Sequence, residues 1–284
     1  MEFTIAHETT YYYELPVKES YTVLHLQPRS DAYQYCTRYA LRVSQGAAVH
    51  RYVDRFANNV EHFEILPGHS NLSITATSLV VTTMPTPVQP PVEATRALLD
   101  ADPAIVELYD FVHPSTFVQF TPDLETFLWE LPSPTDRIGE WCSEVARAIN
   151  AGFVYDKRAT NVRSTIAESL KQRAGVCQDF THIMIAVLRA AGIPARYVSG
   201  YIFRGRSVLG AEATHAWCEA YLPPYGWFGF DPTNDRLIDD QYVKIAIGRD
   251  YGDVSPVRGI YKGDGESSLS VNVEMEVLSY SQQQ

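Results

Sequence analysis

Cysteine is scarce in this 284-residue sequence: Cys36, Cys142, Cys177 and Cys218 are the four, and no two form a CxxC pair. In a chain of this size that excludes the disulfide framework on which small secreted domains depend, and it points to free thiols. No apolar run approaches the roughly 20 residues of a membrane span. The N-terminal segment Met1 to Glu8 has neither a positive n-region nor an apolar h-region, so no signal peptide is expected and the sequence reads as cytoplasmic. There is no Lys/Arg stripe. The chain holds 23 basic and 34 acidic residues, a formal charge of −11, and only 6 of the basic and 8 of the acidic side chains fall in residues 1–90. An acidic chain of this kind argues against nucleic acid and against an anionic membrane surface as partners. No internal repeat, no low-complexity stretch and no EF-hand-like Asp/Gly/Glu loop is present, so calcium is not implied. What is present is ample apolar material: 45% of residues are hydrophobic, enough for a sizeable core in one or two domains.

Residues 1–84 read as short strands. Thr9 to Tyr13 is aromatic-rich, and Tyr21 to Leu26, Tyr39 to Val43 and Leu72 to Thr77 alternate apolar and polar positions. Turn signals separate them at Pro28 to Asp31, Gln45-Gly46, Asn58-Asn59 and Pro67-Gly68, the punctuation of an antiparallel β-sandwich. Residues 85–92 carry Pro85, Pro87, Pro90 and Pro91 and form a stiff linker. Residues 93–264 are expected to form the second domain. Its first third is helical, with breaks at Pro114, Pro122, Pro132 and Pro134. Asp136 to Ile149 is its clearest helix, with Ile138, Trp141, Val145 and Ile149 on one stripe that makes Trp141 a core residue. Three strands are expected at Arg196 to Ile202, Ala213 to Leu222 and Trp227 to Phe230, separated by Gly205 to Gly210 and by Pro223 to Gly226. The chain then reads as irregular through Asp253. Residues 265–284 end in a strictly alternating stretch, Ser270 to Val277. A lone amphipathic strand needs a sheet, so this one is expected to return to the sandwich; Gln282 to Gln284 is expected to fray.

The centre of the second domain is Ala174-Gly175-Val176-Cys177-Gln178-Asp179-Phe180. Thr165-Ile166-Ala167-Glu168 is a capping box that opens a helix ending at Ala174-Gly175. An amphipathic helix follows at once, with Phe180, Ile183, Met184, Val187, Leu188 and Ala191 on one face, and Gly192 and Pro194 stop it. Cys177 therefore sits where unpaired backbone N–H groups and the positive helix end favour a thiolate over a thiol. A thiolate is a nucleophile, and it gains from an imidazole that can take its proton; His215 on the second of the three strands supplies one. The imidazole needs an acceptor on its other nitrogen, and Asp231, ending the third strand, can meet it across an antiparallel pair about 5 Å apart. The backbone N–H of Cys177 is one candidate oxyanion donor, and Gln178 and Trp217 are candidates for the second.

Taken singly, each residue has a plainer reading. A cysteine at a helix start is more often a small buried hydrophobe, a lone histidine is often core, and Asp231-Pro232-Thr233-Asn234 alone is a turn. His215 and Cys218 are three apart on a strand and face opposite ways, so they do not suggest a metal site. His182 lies about 140° around the helix from Cys177, which makes it core rather than the base. Asp179 favours the helix start, although its charge opposes a thiolate. Cys36, Cys142 and Cys218 read as packing residues.

Taken together, Gly175 to Phe180, Gly192 to Tyr201, His215-Ala216-Trp217 and Asp231 to Asn234 resemble the bacterial transglutaminase-like family of the transglutaminase-like superfamily, predicted cysteine proteases. Tyr11-Tyr12-Tyr13, Leu26 to Arg29 and Asp54 to Asn58 are similar to the β-sandwich domain that precedes its core. Gly248 to Tyr251 and Pro256 to Gly259 resemble its last segment, so the likeness covers nearly the whole chain. It implies an α+β fold: a papain/transglutaminase-like core, an N-terminal antiparallel β-sandwich, and Cys177, His215 and Asp231 as nucleophile, base and orienting acid. Ala57 departs from the family's usual Gly, and Thr181 from a small apolar residue, which bears on the groove. The activity implied is acyl transfer at an amide through a thioester, with a peptide, protein or other amide as substrate. Hydrolysis is the expected outcome, and glutamine transamidation or a non-catalytic peptide-binding role are the alternatives. No cofactor and no metal is expected, and the sequence gives no oligomeric state.

Overall fold

The computed structural model describes residues 1–84, 89–203 and 213–278. The chain opens with strands β1 (Glu2–Val17), β2 (Glu19–Leu24), β3 (Gln34–Val43), β4 (His50–Val53), β5 (Asn59–Ile65) and β6 (His69–Thr82). Helices α1 (Arg96–Ala101), α2 (Pro122–Leu128) and α3 (Ile138–Gly152) follow, then β7 (Val154–Tyr155), α4 (Ile166–Gln172), β8 (Ala174–Gly175) and α5 (Cys177–Ala190). Strands β9 (Ala195–Ile202), β10 (His215–Leu222), β11 (Gly226–Asp231), β12 (Arg236–Leu237) and β13 (Tyr242–Gly248) come next. The chain then forms α6 (Tyr251–Val254), β14 (Val257–Lys262) and β15 (Ser267–Val277).

The first six strands build two facing sheets, in the orders β15-β1-β6-β3 and β14-β2-β5-β4. Their alternation turns Leu24, Leu26, Phe63, Ile65, Leu72 and Ile74 into a shared core. The returning strand is β15, antiparallel to β1 with Phe3 opposite Val277. It does not return alone: β14 also pairs with β2, Val257 opposite Leu24, so the chain rejoins these sheets earlier than residue 265. Pro85 and Pro87 of the expected linker, Gly205 to Gly210 and Gln282 to Gln284 lie outside the described residues.

The second core is an antiparallel sheet in the order β12-β11-β10-β9-β13, with α5 against one face. Ala195, Tyr197, Ala216, Cys218 and Ala220 face the helix, while Val198, Ile202, Trp217, Ile238, Tyr242 and Ile247 form a cluster of their own. Tyr242–Gly248, read from sequence as irregular, is thus a full strand. Buried on both faces, it is uncharged at every position but Lys244 and shows no alternation. The same burial corrects the reading of α5 as amphipathic: every residue from Cys177 to Arg189 is buried. Of its polar members, Arg189 donates to the carbonyls of His113, Ala195 and Arg249.

Strand β13 is an edge, and its free backbone groups are claimed by two side-chain amides of the sandwich. Gln34 accepts from Lys244 N–H at 2.8 Å and donates to Lys244 C=O at 2.7 Å; Asn58 does the same to Ile247, both bonds at 2.8 Å. Two amides therefore stand in for a sixth strand and satisfy an otherwise exposed edge. Asn58 is aimed by a tight turn in which Asp54 accepts from its backbone and side chain. That turn puts Ala57 at φ 58°, the left-handed region that costs a residue with a Cβ. Ala57→Gly is therefore expected to stabilise the fold by about 1 kcal/mol, read as a rise of roughly 2–4 °C in thermal unfolding.

Candidate active site

Helix α4 opens on the capping box: Thr165 receives Glu168 N–H, and the Glu168 carboxylate receives Thr165 N–H at 2.7 Å. It ends at Gln172, with Arg173 left-handed at φ 51°, rather than at Ala174-Gly175, which instead form β8 alongside β7. The glycine at 175 has a different purpose. A Cβ there would sit 2.6 Å from Asp179 Oδ2, because Asp179 folds back over the turn. Its carboxylate accepts Val176 N–H at 2.8 Å, Thr160 Oγ1 at 2.6 Å and Ser169 Oγ at 2.9 Å. Asp179 thus fastens the chain leading into α5 and sets Cys177 as the first helical residue, 9% exposed.

His215 opens β10. Its Nε2 lies 2.7 Å from Asp231 Oδ2, with both side chains fully buried. The register, Cys218 opposite Phe230, sets Asp231 diagonally across the pair from His215. The turn after β11 explains the Asp-Pro-Thr-Asn run. Asp231 Oδ1 accepts the backbone N–H of Thr233 at 2.9 Å and of Asn234 at 3.3 Å, while Oδ2 also accepts Asn234 Nδ2 at 2.7 Å and Tyr242 OH at 2.9 Å. Five donors hold one buried carboxylate. Burial would raise its pKa, but His215, Asn234 and Tyr242 outweigh that and keep it below the ordinary carboxylate value.

The remaining ring nitrogen, Nδ1, is buried and has no hydrogen-bond partner of normal geometry among the described residues. Cys177 nevertheless acts on this ring. Burial works against the imidazolium, yet Asp231, its hydrogen bond and then Cys177 overcome burial and push His215 up to about 10. The structure thus brings His215 and Asp231 into direct contact, while no hydrogen bond of normal geometry joins Cys177 to the ring. Tyr197 is a further neighbour of Cys177: burial first, then the adjacent thiol, holds its phenol far above the ordinary value.

The other candidates sort differently. His182 stacks on Phe117, and its Nε2 accepts Tyr251 N–H at 3.2 Å; burial pushes it down to about 4, so it is a neutral core residue. Trp217 packs with Tyr242 over Gly200, on the sheet face away from the body of α5, and its indole N–H has no partner among the described residues. Gln178 donates to Val162 C=O at 3.3 Å. Thr181 lines no groove; it is fully buried within α5. Cys142 and Cys218 are buried, whereas Cys36 is half-exposed. Among the described residues no group of three or more His, Cys, Asp or Glu side chains is gathered to hold a metal, and no helix is long and apolar enough to cross a membrane. Sequence reasoning missed Tyr242; the cluster Val243, Ile245, Ala246 and Ile247 is the signal that a further strand lies beside β9.

Comparison with known proteins places the chain in a family and a fold. Residues 131–232 match the core profile of the transglutaminase-like superfamily, and residues 3–81 match the bacterial transglutaminase-like N-terminal region. An uncharacterized Mycobacterium leprae protein is 34% identical over 282 residues, covering 97% of this chain and 98% of the relative. A protein-glutamine gamma-glutamyltransferase of Pseudomonas aeruginosa is 42% identical over 67 residues, 22% of this chain and 10% of that protein. A solved structure from Cytophaga hutchinsonii, a candidate cysteine protease, superposes with a TM-score of 0.78 at 24% identity, covering 99% of this chain and 92% of that one, and shares the fold.

Proposed function

The chain belongs to the bacterial transglutaminase-like family, and from that premise we propose that it is a cysteine-dependent acyl-transfer enzyme acting on amides, with Cys177 as nucleophile, His215 as acid and base, and Asp231 as the orienting carboxylate. The observation that carries this reading is the buried His215–Asp231 contact at 2.7 Å, which occupies Nε2 and leaves Nδ1 for the thiol. In the first half-reaction Cys177 Sγ attacks the amide carbon as a thiolate, with the proton held on His215 Nδ1. The oxygen of the tetrahedral intermediate draws on the Cys177 backbone N–H at the helix start. His215 then gives its proton to the leaving nitrogen, the C–N bond breaks, and a thioester remains. In the second, His215 takes a proton from the acceptor as it attacks the thioester, and the thiolate departs.

The acceptor decides the product. Water is the default where nothing excludes it, so hydrolysis of a peptide or other amide is the reading adopted. The short likeness to a protein-glutamine gamma-glutamyltransferase favours amine transfer as the second reading. Product analysis of a glutamine-containing peptide library, with and without a primary amine, separates them. Free acid as the main product at low millimolar amine supports hydrolysis; amine adducts as the main product replace it with transamidation. Absence of turnover, with peptide binding that survives Cys177→Ala, would count against both.

Alkylation tests the Cys–His pairing without a substrate. Iodoacetamide should modify Cys177 quickly below pH 7, and His215→Ala should slow it at least tenfold. The buried thiols Cys142 and Cys218 are both pushed up by burial and should stay silent there.

A further inference from the structure

Asp231 and His215 lie on neighbouring strands, but one of the donors on Asp231 comes from elsewhere. Tyr242 begins β13, which pairs with β9 on the side away from β10. Its side chain crosses the sheet face to put its hydroxyl 2.9 Å from Asp231 Oδ2. On β9, between the two, Gly200 stands opposite His215 and leaves room above it. The Trp217 ring fills that space and meets Tyr242 edge-on at 5.4 Å between centroids. The strand that carries Tyr242 is in turn held by the sandwich. Gln34 and Asn58 pair its free edge, Thr82 Oγ1 donates to Asp240 C=O at 2.7 Å, and Lys244 Nζ reaches Asp31 at 3.1 Å.

We propose that Tyr242 is a positioning residue for the catalytic carboxylate, and that the N-terminal sandwich acts on the reaction through it by clamping β13. The inference rests on the reading of Cys177, His215 and Asp231 as catalytic. It gives the sandwich a part in the chemistry although none of its side chains touches the reacting atoms. A carboxylate with three donors on Oδ2 has one orientation, and that orientation fixes the plane of the His215 ring. Loss of the phenol leaves His215 and Asn234 on that oxygen and weakens the hold on the ionised form. Loss of the clamp at Lys244, two residues along the same strand, lets Tyr242 retreat from Oδ2.

The charged and titratable groups around this cluster are few. Asp231 is faced by His215 from β10 and by Tyr242 from β13. His215 is faced by Asp231 and Cys177. Tyr242 is faced by Arg236, whose guanidinium lies 5.9 Å from its ring, and by Asp239, which pairs with Arg236 at 3.1 Å. Arg236 and Asp239 are unchanged in the variants below, so a shift in these variants reports the hydroxyl.

Two readouts on the full chain test the proposal: the pH profile of Cys177 alkylation by iodoacetamide, and the His215 ring N–H resonance in the nitrogen-resolved proton spectrum. With Tyr242→Phe, Asp231 takes up its proton at higher pH. The acid limb of alkylation should then move up by about one pH unit, roughly a tenfold loss of rate on that limb. The rate at pH 8 should stay within about twofold, and the His215 N–H resonance should move. Gln34→Ala should shift limb and resonance the same way by a smaller amount. An unchanged limb and resonance in Tyr242→Phe overturn the positioning role, even if thermal stability falls. A shift in Tyr242→Phe with none in Gln34→Ala overturns the part given to the sandwich. His215→Ala separates this from failure of the underlying reading. If it leaves wild-type alkylation unchanged, the Cys–His reading itself is wrong; the resonance still reports whether Tyr242 holds the Asp231–His215 contact.

Discussion

Asp231→Asn should lower kcat/KM on any amide substrate by about 10³–10⁴-fold while leaving a folded protein. The reasoning is local. Oδ1 of Asp231 already receives two backbone N–H groups, so an asparagine there keeps its carbonyl oxygen at Oδ1 and its amide nitrogen at Oδ2. That nitrogen would face three groups that all donate: His215 Nε2–H, Asn234 Nδ2 and Tyr242 OH. The ring relieves the conflict by moving its proton to Nδ1, where it meets Cys177 and can no longer accept from it. The charge changes as well. In the wild type the carboxylate overcomes burial and holds His215 up at about 10. That raised value contributes stability in full below pH 6.5, the ordinary histidine value, and the contribution is lost as pH rises through about 10. Without the carboxylate, burial prevails and the imidazole is neutral at pH 7. Thermal unfolding from pH 6 to pH 10.5 should therefore fall for the wild type toward the upper end, and the variant should not share that decline. A variant with more than a tenth of wild-type kcat/KM would refute the role given to Asp231.

Gly200→Ala should destabilise the protein by about 3 kcal/mol or more, a loss of roughly 10 °C in thermal unfolding. A Cβ at this position lies 2.3 Å from Val243 O and 2.3 Å from the Trp217 ring. The first is backbone of the neighbouring strand, and the second is a rigid indole buried beside His215 and Tyr242. Neither can give way cheaply. The displaced indole would press on His215 and Tyr242, two of the partners of Asp231, so the activity that remains should fall by more than the unfolded fraction explains. Differential scanning calorimetry and residual alkylation of Cys177 below the transition measure the two effects. A loss of less than about 1 kcal/mol would mean that Trp217 is free to move aside.

Much of this was legible because it is local. Thr165 and Glu168 are three residues apart, as a capping box requires, and Cys177 follows within one turn of the chain's reversal. His215 and Asp231 lie on consecutive strands joined by Pro223 to Gly226, so antiparallel pairing alone brings them near. The Asp231 to Asn234 run, ambiguous as a turn, is a turn that also aims its first carboxylate. What escaped was non-local or unpatterned. Strand β13 has two buried faces, so its apolar residues, interrupted only by Lys244, carry no period. The same strand hides Tyr242, whose contact with Asp231 reaches across two intervening strands. Gly175 reads as a helix stop, yet the reason for it is the Asp179 carboxylate folding back from four residues on. The amide of Gln34 has no signature, and Asn58 stands out as a turn residue only, because a side chain that imitates a strand looks like any polar residue.

The two closing strands carry a consequence for synthesis. Strands β14 and β15 complete the sheets begun by β2 and β1, with more than two hundred residues between partners. On the ribosome, the first strands emerge long before their mates, so the nascent chain holds two open sheet edges throughout synthesis of the intervening residues. Pairing across such sequence distance is slow, and open edges recruit other chains. A message cut short before residue 257 would yield a product with Cys177, His215 and Asp231 all present and both sheets unfinished. Such a product would carry the thiol on a chain with two open sheet edges, the kind of surface that chaperones and proteases act on.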